Sequence, residues 1–269
     1  MSDQIRSVSP RIIAVANQKG GVGKTTTAIN LAAALVANGM RVLIVDLDPQ
    51  GNASTGLGID GQDRDLTTYD LLLDDVALAD VVKPTSTEGL LIIPATVDLS
   101  SADIELFSTE KRSFLLHDAL RQPAIDGFHL DYILIDCPPS LSLLTVNAMV
   151  AAHSVLVPLQ SEFFALEGLS QLMMTIREVR QTANPGLRIE GVVLTMYDMR
   201  NKLSLQVEQD ARDNLGELVF KTVIPRNVRV SEAPSFAVPV LDYDANSRGA
   251  QAYLELAREL LHNNAVMAA

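Results

Sequence analysis

An α/β fold, a doubly wound and mostly parallel sheet, is predicted by three features of these 269 residues. Seven short apolar runs alternate with longer segments of helical period. Several of the runs are apolar at consecutive positions, as in strands buried on both faces of a parallel sheet. Turn-forming residues fall between the two kinds of segment, where α/β loops belong.

The expected strands are Arg11–Ala16, Val42–Val45, Leu90–Ile93, Tyr132–Ile135, Val155–Leu159, Ile189–Leu194 and Val219–Ile224. Helical patterns cover Thr25–Asn38, Ser142–Ala151, Glu167–Gln181, Leu203–Leu215 and Asn246–His262. Asn38-Gly39 closes the first helix, and Asn184-Pro185-Gly186 parts a long helix from its strand. Gly56 to Gly89 is the least regular stretch, with acids at 60, 63, 65, 70, 74, 75 and 80. It reads as a solvated surface carrying short helices. With no repeat or linker, residues 1–269 are expected to form one domain, with residues 1–10 and 263–269 as flexible tails.

Hydrophobic residues make up 48% and charged residues 20%, the proportions of a globular chain with a large core. The net charge of −12 rules out a chain that is basic all over, so any contact with nucleic acid needs a local basic patch. Absence of tryptophan argues against stacking platforms for carbohydrate. A single cysteine, Cys137, excludes an internal disulfide and a four-cysteine cluster within one chain. His117, His129, His153 and His262 show no metal-ligand spacing. Met1 to Pro10 is polar, without the apolar core of a signal peptide, and no apolar stretch approaches the ~20 residues that span a bilayer. A cytoplasmic location is expected.

Function enters at Asn17-Gln18-Lys19-Gly20-Gly21-Val22-Gly23-Lys24-Thr25-Thr26, which follows the first strand and opens the first helix. That context is what a phosphate loop requires. Its glycines let several backbone N–H groups converge on one anion, and the helix N-terminus adds its own. Lys24 is placed to reach the β- and γ-phosphates of ATP, and the Thr25 hydroxyl to ligate Mg2+. The strict pattern wants glycine where Gln18 stands; a second lysine, Lys19, comes in exchange. Two lysines on one tight loop repel unless a strong anion sits between them.

Hydrolysis also needs carboxylates at strand ends, where open α/β sheets bind their ligands. Two segments end strands in this way: Val45-Asp46-Leu47-Asp48-Pro49-Gln50-Gly51-Asn52, and Ile135-Asp136-Cys137-Pro138-Pro139-Ser140. Asp136 has the form of a Walker B acid that holds the metal. Asp46 and Asp48, two apart, are able to point into one cleft, and Asp48-Pro49 also suggests a turn. Cys137 is read as a small packing residue.

Together these motifs resemble the ParA family of partition ATPases, Soj-like members of the deviant Walker A group of P-loop NTPases. The resemblance rests on Lys19 to Thr25, Val45 to Asn52, Asp136 to Ser140 and Thr195-Met196-Tyr197-Asp198. A last motif is Ile224-Pro225-Arg226-Asn227-Val228-Arg229 with Ser231-Glu232-Ala233-Pro234-Ser235. It implies that Lys19 crosses a dimer interface to the other subunit's ATP, that Asp48 positions the attacking water, and that Asp46 supports the metal region. Pro225, Arg226 and Asn227 match the loop beside the adenine base, and Arg200 and Arg229 match positions used against DNA. Pairing two subunits is expected to line these up with Lys202 and Arg226 in one basic strip, or without Arg226 where it is committed to the nucleotide.

The implied function is ATP hydrolysis by a sandwich dimer that binds DNA without sequence preference and nucleoid-wide. A ParB-like centromere-binding partner would trigger release. An orphan ATPase that positions a protein assembly shares the same engine, and a metabolic ligase or kinase on this fold is the third reading. The tail from Arg258 to Ala265 lacks the basic amphipathic helix of membrane-binding MinD relatives, so no membrane partner is expected.

Overall fold

The computed structural model describes residues 9–74, 76–105, 111–162 and 165–268; the expected N-terminal tail up to Val8, Asp75 and Ala269 lie outside it. Among the described residues, seven strands form one sheet. They are β1 (Arg11–Val15), β2 (Val42–Asp46), β3 (Lys83–Pro84), β4 (Leu90–Ile93), β5 (Tyr132–Asp136), β6 (Ser154–Gln160) and β7 (Arg188–Thr195). Their order is β3-β4-β2-β5-β1-β6-β7, and every pairing is parallel except β3 with β4. The longer helices are α1 (Lys24–Ala37), α2 (Leu143–Ala151), α3 (Ala165–Thr182), α4 (Lys202–Leu215) and α5 (Arg248–Ala268).

Consecutive apolar residues are explained by the two layers they serve. Ile13 and Val15 of β1 pack with Leu31 and Leu35 of α1 and with Tyr253 and Leu256 of α5. Ile12 and Ala14 face the opposite layer, with Leu144 and Ala148 of α2, Leu172 and Ile176 of α3, and Val207 of α4. A one-residue slip would therefore exchange two complete sets of packing partners, so the register is fixed from both sides. A short helix at Asn52–Gly56 leads into the acid-rich stretch, and Thr68–Leu73 and Leu78–Val81 lie within it, as its sequence suggests. Thr67 and Asp70 close the second of these with a reciprocal capping box.

Two expectations are corrected. Val219–Ile224 is not a strand; it meets β7 at a single bridge, Val192 with Val219, and a second bridge, Tyr197 with Pro225, follows just beyond both. The Phe220 and Ile224 amides still donate to β7, at 2.9 and 2.8 Å. Between them the amides of Lys221 and Thr222 turn away to the Glu259 carboxylate on α5, at 2.7 and 2.9 Å. A side chain thus takes donors that a ladder would have used. The end of the last helix is the second correction: α5 runs past His262 to Ala268, because Ala265, Met267 and Ala268 are good helix formers even without an amphipathic pattern.

The β6/β7 pairing contains an extra residue. Val155 faces Ile189 while Leu156 faces Gly191, so Glu190 bulges out of the ladder. Its buried carboxylate accepts from Arg11 at 2.7 Å and from Ser154. Next to it, a Cβ on Gly191 would stand 2.4 Å from Phe220 Cε2 and 3.1 Å from the Leu218 carbonyl oxygen. Phe220 is buried and cannot swing aside. Gly191→Ala is expected to lower unfolding free energy by about 1–3 kcal/mol through overpacking. Urea denaturation checks this, and parental stability would show that the ring has room to move.

Candidate functional site

β1 carries the chain into residues 16–23, which wrap back to begin α1 at Lys24. Gly23, immediately before the helix, has φ +85°, a left-handed conformation that side chains disfavour. Its carbonyl accepts the first helical bond, from Thr27 N at 2.8 Å. The loop is held from outside at two points. Asn17 Nδ2 donates to the Pro158 carbonyl on β6 at 2.7 Å while its Oδ1 accepts from Lys19 N. Thr195 Oγ1, at the end of β7, donates to the Val22 carbonyl at 2.8 Å.

Lys24 is buried and its Nζ donates to the Lys19 carbonyl at 3.1 Å. Desolvation lowers its pKa, opposed chiefly by the Asp136 charge. Lys19 points elsewhere: its Nζ pairs with Glu162 Oε2 at 2.9 Å, and both side chains are substantially exposed. The sequence puts these two lysines in one loop; the fold gives them different partners.

The carboxylates arrive by register. Asp46 ends β2 beside Asp136 at the end of β5, and Asp136 lies beside Val15, the last residue of β1. Asp136 is fully buried, and neither of its oxygens has a hydrogen-bond partner. Burial, then the neighbouring Asp46 charge, pushes its pKa well above the carboxylate range. The nearby Thr25 hydroxyl offsets part of this without a hydrogen bond of normal geometry. An unpartnered carboxylate beside a threonine hydroxyl fits a magnesium ion whose shell is completed by phosphate oxygens and water. Among the described residues no three acidic, histidine or cysteine side chains converge into a cage, and such an ion needs none.

Asp46 is engaged differently. Its Oδ2 accepts from Ser54 N at 2.8 Å and Ser54 Oγ at 2.7 Å, and its Oδ1 accepts from Asp48 N at 3.3 Å. Burial raises its pKa to about 6, and the Ser54 bonds restrain the rise. Asp48, also buried, accepts from Gln50 N at 3.0 Å, the turn that Pro49 suggests. Cys137 is fully buried, with its thiol pKa pushed up by desolvation, in keeping with a packing role.

A cavity of about 450 Å³ opens beside the loop, bounded by Gly23, Thr26, Thr195, Pro225, Arg226, Asn227 and Tyr253. The fold thus brings the Pro225-Arg226-Asn227 segment against the glycine loop, some 200 residues away in sequence. Asn227 also caps the helix Val228–Glu232 through Arg229 N at 2.9 Å. The expected DNA-contacting residues lie outside this cavity. Arg200 is almost fully exposed and forked onto Asp198 by two 3.0 Å bonds. Arg229 is paired with Glu232 and Asp244, and Lys202 is exposed at the start of α4. Ser54 and Tyr253 carry no motif spacing, and although Asn17 and Thr195 lie within motifs, only the fold reveals what their side chains hold.

The chain matches, over residues 10–189, the family described as an AAA domain. It is 60% identical to the chromosome partitioning protein ParA of Caulobacter vibrioides, over 93% of this chain and 94% of that one. With the sporulation initiation inhibitor protein Soj of Bacillus subtilis it shares 53% identity over 94% and 99% of the two chains. Among solved structures, cobyrinic acid a,c-diamide synthase from Mycobacterium smegmatis with bound ATP analog and magnesium is 41% identical. It superposes with a TM-score of 0.81 over 94% of each chain. The septum site-determining protein MinD of Pyrococcus horikoshii, complexed with Mg-ADP, is 30% identical at TM-score 0.76, over 93% and 96%. Fold, loop and strand-end acids therefore define a P-loop ATPase of the ParA/MinD class, one that works on ATP with magnesium. Within that class the chain belongs to the ParA/Soj family of chromosome-partitioning ATPases.

Ser54 tests the bracing around Asp46. Its hydroxyl also accepts from Ala95 N at 3.0 Å, so Ser54→Ala strips a donor from the carboxylate and a partner from a buried amide. A loss of about 1–3 kcal/mol is expected at pH 7. Asp46 has a folded pKa raised above its unfolded value of about 3.9. Its contribution is full below that value and is lost as pH rises through about 6. Removing the serine raises the folded value further, so the deficit should shrink at pH 5, where Asp46 is mostly protonated. Equal deficits at the two pH values in urea titrations would show that the serine does not act through the Asp46 charge.

Proposed function

We propose that this chain is a DNA-partition ATPase that acts as an ATP-dependent sandwich dimer on the nucleoid, released when a ParB-like centromere-binding partner stimulates hydrolysis. The observation that carries the ATP half is the buried, unpartnered Asp136 carboxylate set between the phosphate loop and the Asp46–Asp48 segment. In this reading residues 19–26 bind the phosphates, with Lys24 as their main cationic partner. Thr25 and Asp136 hold the magnesium ion, which when bound neutralises charge between the β- and γ-phosphates. Asp46, its oxygens taken by Ser54 and Asp48, supports the metal region from behind. Asp48 orients the water that attacks, and Pro225, Arg226 and Asn227 line the base. The names of the ParA and Soj relatives support the partition assignment over the synthase named for the Mycobacterium smegmatis structure.

Lys19 serves the dimer in this scheme. In the single subunit it rests on Glu162, an exposed pair whose release costs little. Lys24→Ala should lose most ATP affinity, whereas Lys19→Ala should bind ATP as a monomer and fail to pair. Calorimetry and sedimentation with a slowly hydrolysed ATP analogue separate the two. A full dimer population for Lys19→Ala would return that lysine to an ordinary loop role.

For DNA, a chain of −12 net charge needs its local bases concentrated by pairing. Arg200 and Arg229 already hold carboxylates, so each must exchange an acid for a phosphate. Such surface pairs are weak enough to exchange. DNA binding is therefore expected with ATP and not with ADP. Six phosphates neutralised per dimer correspond to a slope of log affinity against log salt of about −5. Arg200→Ala removes two contacts per dimer and should flatten that slope by about 2 on unrelated sequences, with DNA-free ATPase activity retained. Equal DNA affinity in ADP and ATP would sink the partition mechanism and favour a small-molecule enzyme.

A further inference from the structure

Of the side chains around the phosphate loop, Thr195 opens a motif yet has been given no role, and it touches the loop directly before Gly23. It is buried, ends β7, and spends its hydroxyl on the Val22 carbonyl at 2.8 Å. The Val22 carbonyl and the Gly23 N–H belong to one planar trans peptide, so they point in opposite directions. Fixing the oxygen toward β7 fixes the amide away from it. Gly23 can rotate more freely than any other residue type, and at φ +85° it lies where no side chain would restrain it. A Cβ built on Gly23 would lie 3.9 Å from Thr195 Cβ, so the threonine flanks the loop on the side that glycine leaves open.

From these observations we infer that Thr195 is a positioning residue for ATP: its hydroxyl sets the Val22–Gly23 peptide so that the Gly23 N–H is presented to a phosphate. The next residues reinforce the placement. Met196 adopts a left-handed φ of 51°, uncommon outside glycine, and lines the cavity next to the loop. Tyr197 then pairs through its backbone with Ile224 and Arg226, at 3.0 Å each. The end of β7 therefore holds the phosphate loop with one residue and the base-side segment two residues later. A hydrogen bond to a charged phosphate is among the stronger kinds, so a freely rotating Gly23 amide carries a measurable loss.

This inference rests on the reading of residues 19–26 as the phosphate loop, and the experiment separates the two. Thr195→Ser and Thr195→Ala both lack the γ-methyl and differ only in the hydroxyl. Calorimetric titration with Mg-ATP should find the serine variant within about threefold of the parent and the alanine variant weaker by about tenfold or more. Thr195→Val, which restores the volume without the hydroxyl, should behave as the alanine variant does. Melting of each variant without nucleotide supplies the structural readout. A fall in melting temperature with ATP affinity unchanged between serine and alanine would make Thr195 a packing residue and overturn the inference. Lys24→Ala serves as the control. If it binds ATP normally, the phosphate-loop reading fails and takes this inference with it. If it loses ATP while Thr195→Ala keeps it, the inference alone fails.

Discussion

The structure depends on one costly arrangement: a carboxylate, Asp136, buried without a hydrogen bond between two other strand ends. Desolvating a carboxylate raises its free energy unless a cation or donors compensate. Among the described residues Lys24 supplies opposite charge nearby, and Lys24 is itself desolvated. Each group is kept near the other by the parallel register of β2, β5 and β1. The site is therefore held in a state that a magnesium nucleotide relieves, and the apolar core on both faces of the sheet supplies the stability that tolerates it.

Around that centre the polar side chains divide the labour. Ser54 and the Asp48 amide satisfy Asp46, so a second buried acid sits beside the first without also demanding a cation. Asn17 and Thr195 hold the glycine loop from the strands on its other side, β6 and β7. The loop can be rich in glycine because its conformation is imposed by neighbours. The exposed arginines follow another rule: Arg200 and Arg229 are paired with acids on their own surface, as a strongly acidic chain makes probable for any base. Their contribution to DNA binding therefore depends on exchange between carboxylate and phosphate rather than on bare positive charge.

Much of this was legible in the residues themselves. Consecutive apolar positions declare strands buried on both faces because period-two alternation is lost only when both sides are covered. Gly20-Gly21-Val22-Gly23-Lys24-Thr25 declares a phosphate loop because those backbone angles and that lysine are local requirements. The strand-end positions of Asp46 and Asp136 follow from the apolar runs before them. Less local features were misread: Val219–Ile224 has strand composition, but Glu259 on α5 intercepts its amides.

Sequence alone determined the sheet class, the glycine-rich loop and the strand-end positions of Asp46 and Asp136, because each is encoded over a few adjacent residues. Tertiary structure decided which acid stands unpartnered and which is braced, since Ser54 lies eight residues beyond Asp46 with no periodic signal linking them. It also decided that Glu190 bulges toward Arg11, that Lys19 meets Glu162, and that Thr195 meets Val22. Those last three contacts join positions more than 140 residues apart. Their geometry comes from the order of strands in the sheet, which no local pattern of residues contains.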